Sequence, residues 1–103
     1  MLVKIEVIVR PYQTQIIRDI LSFENESIII EDVNGIGVNV NPLNLYKGQK
    51  KILESLPKSK ITIYTYKGTH EEIIKLILEK IRTGIIGDGK IFVQEILNSI
   101  EII

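Results

Sequence analysis

The chain has 103 residues, enough for one domain with a single core. Lysine plus arginine and aspartate plus glutamate balance at 13 each, so there is no broad field for nucleic acid or an anionic membrane, and any positive site is local. Cysteine is absent and His70 is the only histidine, which excludes a disulfide framework, a thiolate metal site and, unless His70 itself is the base, a Ser-His or Cys-His pair. No apolar run approaches the ~20 residues that span a bilayer. Residues 2–10 alternate apolar and charged side chains, unlike a signal peptide, so a soluble cytoplasmic protein is expected.

Val3, Ile5, Val7 and Val9 alternate with Lys4, Glu6 and Arg10, a period of two that reads as a strand with one buried face, ended by Pro11. Thr14 is placed to cap a helix whose apolar stripe is Ile16, Ile17, Ile20 and Leu21. A polar connection over residues 23–27 leads to a β-branched strand from Ile28 through Val33. Asn34-Gly35-Ile36-Gly37 breaks that pattern. Residues 38–56 read as a long loop, with a helical turn around 49–53, and loops longer than ~12–15 residues are usually functional or disordered. A third strand over residues 60–66 sets Ile61, Ile63 and Thr65 against Thr62, Tyr64 and Tyr66. Thr69-His70-Glu71-Glu72 fits a capping box for a second helix with Ile73, Ile74, Ile77, Leu78 and Ile81 on one face and Gly84 as its stop. Residues 83–93, Thr-Gly-Ile-Ile-Gly-Asp-Gly-Lys-Ile-Phe-Val, carry two readings. One is a helix end, an Asp-Gly turn and a fourth strand over 90–94. The other is a cradle of backbone N–H groups beside Lys90 that holds an anion.

The order strand, helix, strand, long loop, strand, helix, strand predicts an α+β, ferredoxin-like βαββαβ sandwich, with an antiparallel four-stranded sheet and both helices on one face. The second strand has apolar residues on both faces, Ile29 and Val33 against Ile28 and Ile30, so burial of the uncovered face in a dimer or trimer is expected. No nucleophile has an evident base and no metal cluster is visible, which speaks against an enzyme. Bland readings stand beside each candidate residue. Lys58 is also a solvated lysine next to Lys60; Tyr46 also packs the loop base; Lys47, Lys50 and Lys51 also form a merely solvated loop.

Several segments together carry a resemblance. Ile5-Glu6-Val7-Ile8-Val9-Arg10-Pro11, Gly35-Ile36-Gly37, Leu45-Tyr46-Lys47-Gly48, Leu56-Pro57-Lys58-Ser59-Lys60-Ile61 and the unbroken run over 83–93 occur in the order and spacing of the PII nitrogen-regulatory signal proteins, which the chain resembles over nearly its whole length. The resemblance implies one PII-like domain over residues 1–103 that assembles as a homotrimer. ATP or ADP would lie in each cleft between subunits, with 2-oxoglutarate beside it through Mg²⁺. The long loop, about residues 37–56, would be the family's T-loop, which docks onto ammonium channels or metabolic enzymes. By position, Gly87, Gly89 and Lys90 would hold phosphates and Asp88 would shape the turn. Gly35, Ile36, Gly37, Ile61, Thr62 and Tyr64 would line the base and ribose side, and Phe92 belongs to the same nucleotide-binding set. Lys58 and Asn39 would be the effector-binding positions, and Tyr46, Lys47 and Lys51 the partner contacts.

The departures from the family pattern are equally specific. Val38 and Asn39 stand where the family usually has an arginine and a glutamine. Glu101 and Ile103 align with two arginines that reach phosphates, Thr62 with a glutamate close to adenine, and Lys51 with the tyrosine that some members have uridylylated. The expectation is a nucleotide sensor in nitrogen or carbon metabolism in which ADP or AMP competes well with ATP. The alternative is a diverged sensor of another small anion or carboxylate, with weak or no 2-oxoglutarate response.

Overall fold

The computed structural model describes residues 1–21, 27–39, 52–84 and 89–103. Strands β1 (Leu2–Val9), β2 (Ser27–Asn39), β3 (Ile52–Tyr66) and β4 (Gly89–Glu95) pair into one sheet in the order β2-β3-β1-β4, every pair antiparallel. A 3₁₀ turn (Pro11–Gln13) and helix α1 (Thr14–Ile20) follow β1, and helix α2 (Thr69–Ile81) joins β3 to β4. This is the expected βαββαβ order.

Both helices cover one face of the sheet, and the alternation of β1 and β3 decides which side chains meet them. Val3, Ile5, Val7 and Val9 are at most 2% exposed, and Ile61 and Ile63 are fully buried. Ile17 and Leu21 from α1, and Ile73, Ile77 and Ile81 from α2, complete this core. The stripes are narrower than the sequence suggests. Ile16 and Leu78 are exposed, because a helix on a sheet buries mainly its central line of residues.

The helix ends differ from expectation. Thr14 does not cap α1: the N-cap position is Gln13, and the Thr14 hydroxyl is buried without a partner among the described residues. The buried Gln13 side chain instead accepts the Arg10 N–H at 3.3 Å, tying the 3₁₀ turn to the end of β1. The capping box at Thr69 is not formed either. Thr69 is already helical, the N-cap is Gly68, and the His70 Nδ1 accepts the Gly68 N–H at 3.0 Å. At the other end α2 stops at Ile81, with Arg82 as an extended C-cap, rather than at Gly84.

The largest difference lies between β2 and β3. The Asn34-to-Gly37 break does not end pairing, because Gly35 faces Leu56, Gly37 faces Glu54 and Asn39 faces Ile52. The two strands project beyond the sheet as a ribbon, shortening the stretch expected to be loop. Pro57 lies inside β3, opposite Asn34, and the helical turn expected around 49–53 is strand at Ile52 and Leu53. A ribbon of this kind needs only backbone partners on one side, so glycine and asparagine are compatible with it where a packed sheet would disfavour them.

Candidate functional site

The face of the sheet away from the helices carries three transverse rows. The register places Lys90, Ile8, Lys60 and Glu31 in one row, Phe92, Glu6, Thr62 and Ile29 in the next, and Gln94, Lys4, Tyr64 and Ser27 in the third. Neighbours within a row are roughly 5 Å apart. The Glu6 carboxylate lies 3.6 Å from the Lys4 ammonium and 3.6 Å from that of Lys60. Lys58 shares the face of Lys60 two residues along β3, next to the base of the ribbon. Glu6 is already engaged by two lysines, so the Lys58 and Lys90 end of this face is the one that presents positive charge.

Glycine at this end has a structural reason. Gly89 opens β4 at φ 138°, and a Cβ there would collide with the Ile8 carbonyl oxygen and lie 3.2 Å from the Val9 Cγ1. Only a bare backbone lets β4 enter this close to β1, which brings Lys90 onto the sheet at its first possible position. Gly35 does a milder version on the ribbon, where an added Cβ would meet the Lys58 Cγ at 3.4 Å.

The site residues expected from sequence fall into groups. Thr62 and Phe92 flank Glu6 in one row, Tyr64 stands one row further, and Lys90 begins the row toward the ribbon. Gly35, Ile36 and Lys58 sit at the ribbon base, with Ile36 71% exposed. Gly37 and Asn39 are ribbon backbone further out. Ile61 stands apart from these: it has the opposite parity to Thr62 on β3, so its side chain lies on the helix side, fully buried in the core. Gly87, Asp88, Tyr46, Lys47 and Lys51 lie outside the described residues. Sequence reading missed Glu6, Lys4 and Lys60 as neighbours of Thr62 and Phe92. Their parity was visible, but the cross-strand register that brings them together was not.

Two concave features border this region. A groove of about 440 Å³ runs on the helix side between α2 and β4, lined by Ile74, Leu78, Ile81, Ile91 and Val93, with Arg82, Gly89 and Lys90 at its border. It shares only Gly89 and Lys90 with the expected nucleotide set. A depression of about 380 Å³ at the ribbon base is lined by Pro11, Asp32, Val33, Asn34, Pro57 and Lys58. Away from both, Lys67 and Glu95 form an exposed ion pair at 2.9 Å, whose hydrogen bond raises the lysine pKa and lowers that of the carboxyl.

An open sheet face, a lysine-bearing end and a projecting ribbon define a binding module of the ferredoxin-like class. No protein-family model matches the chain. Individual relatives do. It is 34% identical over 100 residues to the nitrogen regulatory protein P-II of Pasteurella multocida, covering 96% of this chain and 89% of that protein. It is 32% identical over 99 residues to the nitrogen regulatory protein GlnK of Escherichia coli K12, covering 95% and 88%. Among solved structures, Bacillus subtilis GlnK matches with a TM-score of 0.75 at 30% identity, covering 96% of this chain and 88% of that one. The chain belongs to the PII nitrogen-regulatory protein family. It is accordingly a regulatory signal protein and not an enzyme.

Proposed function

We propose that this protein is a trimeric, cytoplasmic PII-type sensor that binds an adenine nucleotide and controls a partner through residues 37–56. The observation that carries the nucleotide reading is Lys90 directly after Gly89, whose close approach to the Ile8 carbonyl sets the lysine at the positive end of the open face. A B. subtilis GlnK has been solved in complex with ATP, and it matches this chain with a TM-score of 0.75 at 30% identity, which supports the same ligand class here. Gly87, Gly89 and Lys90 would take the phosphates, with Asp88 shaping the turn, and Gly35, Ile36, Gly37, Thr62, Tyr64 and Phe92 would line the nucleoside side. The uncovered face, with Ile29 and Phe92 each 50% exposed, supports burial against further copies. The regulated partner would be an ammonium channel or a metabolic enzyme, met by Tyr46, Lys47 and Lys51.

The departures set the preference. A hydrogen bond to a charged group is worth ~1.5–3 kcal/mol, and ~1.4 kcal/mol is tenfold in affinity. Val38, Glu101 and Ile103 in place of arginines therefore weaken the triphosphate most, because it has the most charge to neutralise. ADP or AMP binds at least as well as ATP, and 2-oxoglutarate has little effect. Mg²⁺ enters only as companion to a triphosphate; no group of three His, Asp or Glu side chains gathers to hold a metal among the described residues. A second reading, a sensor of another small carboxylate, is favoured by the depression bordered by Lys58 and by an Arabidopsis thaliana PII solved with citrate, which matches at TM-score 0.65 and 32% identity over 92% of this chain and 77% of that one. Calorimetry with ATP, ADP, AMP, 2-oxoglutarate and citrate separates the two. The expected outcome is ADP binding that Lys90→Ala weakens at least about tenfold while the fold persists. Tight Mg-ATP binding strengthened by 2-oxoglutarate would overturn the stated preference.

A further inference from the structure

We infer that the Glu6 carboxylate reads the ribose hydroxyls of the bound nucleotide, so that the site takes ribonucleotides and turns away their 2′-deoxy counterparts. The inference rests on the nucleotide reading above and names the group that selects the sugar. Glu6 stands in the middle of the open face, directly opposite Thr62 on β3 and Phe92 on β4. Each of its oxygens has one cation nearby. Oε2 lies 3.6 Å from the Lys4 ammonium and Oε1 lies 3.6 Å from that of Lys60. Both separations exceed the roughly 3.2 Å at which N–H···O hydrogen bonds end. Among the described residues no hydrogen-bond donor closes on either oxygen, although the Glu6 side chain is only 24% exposed. A carboxylate has about four acceptor sites, and these are left open toward the face that a ligand would cover.

Spacing selects the sugar over the phosphates and the base. Lys90 begins one row of the open face, Glu6 lies in the next, and Tyr64 lies in the third. Successive rows are two residues apart along each strand, about 7 Å. A nucleotide whose phosphates meet Lys90 and whose base lies over Tyr64 therefore sets its ribose over the Glu6 row. Half-exposed Phe92 offers a wall there, and Thr62, 5% exposed, closes the floor. The ribose diol presents two O–H donors and no charge, which suits two adjacent acceptor oxygens, and hydrogen bonds to an ionised acceptor are roughly twice as strong as neutral ones. Lys4 and Lys60 act as positioning residues. They hold the carboxylate from two sides, and two ammoniums against one carboxylate leave the cluster with a net positive charge, so it does not repel phosphates in the neighbouring row.

Calorimetry on the full chain with ADP and 2′-deoxy-ADP tests this, using the wild type, Glu6→Gln and Glu6→Ala. The wild type should bind ADP about tenfold or more tighter than 2′-deoxy-ADP. Glu6→Ala should weaken ADP by a similar factor and leave the two nucleotides nearly equal. Glu6→Gln, whose amide oxygen still accepts, should keep part of the preference. Each variant is scored by its own ratio, so a loss of folded or assembled protein lowers both affinities alike and cancels. A wild type that does not bind ADP would sink the nucleotide reading and this contact with it. A wild type that binds both nucleotides equally would sink the ribose contact alone, and so would a Glu6→Ala protein that keeps the full preference.

Discussion

The two faces of the same sheet make opposite use of the same strands. On the helix side, alternate residues of β1 and β3 are aliphatic and buried almost completely. On the open side, the intervening residues combine a lysine–glutamate–lysine cluster with Thr62, Tyr64 and half-exposed Ile29 and Phe92. The covered face supplies stability within one chain, and the open face is the one that the proposed function uses for contacts with other molecules.

The sharpest way to break this contrast is to truncate one residue on each face. Ile5→Ala, on the covered side, should lower the unfolding free energy by about 2–5 kcal/mol, as buried aliphatic truncations do. Phe92→Ala should cost the dissociated chain about 1 kcal/mol or less, yet make unfolding more dependent on protein concentration. Equal losses in dilute denaturant titrations would show that the open face belongs to the fold after all. The junction between the faces comes next. Gly89→Ala should destabilise by about 1–3 kcal/mol, and hydrogen exchange should locate the loosening at β4. Gly68→Ala is the control: it also has positive φ, at 100°, but an added Cβ there meets nothing within 4 Å, so it should cost less. The smallest effect belongs to the exposed Lys67–Glu95 pair. The Glu95 pKa is lowered in the fold from 4.5, so its contribution is present above that value and is lost as pH falls through the folded pKa. The difference between wild type and Glu95→Gln in denaturant midpoint should therefore shrink on acidification below pH 4.5, and salt should shrink it further.

Much of this molecule was legible before its structure. The period-two pattern of β1, the periodic isoleucines of α2 and the apolar run after Lys90 point locally to strand, helix and strand, and the chain order implies the sandwich. The site was legible only in part. Lys90 stands out from the glycine-rich run it belongs to, whereas Glu6 joins the candidate site only by facing both Thr62 and Phe92. Ile61, in a matching motif, has its side chain on the buried face by parity. The caps were misread for a related reason: Gln13 and Gly68 are selected by how the chain leaves the preceding strand, which a capping pattern does not encode.

The amino-acid sequence alone determined which side chains share a face, where apolar stripes run and which glycines flank a lysine, because these depend on periods of two and 3.6 along one segment. Only the tertiary structure decided the rows across the open face, the continuation of β2 and β3 into a ribbon, and the groove beneath α2. Those follow from register, which depends on what each strand meets, and one step of slip would exchange the two faces of the sheet.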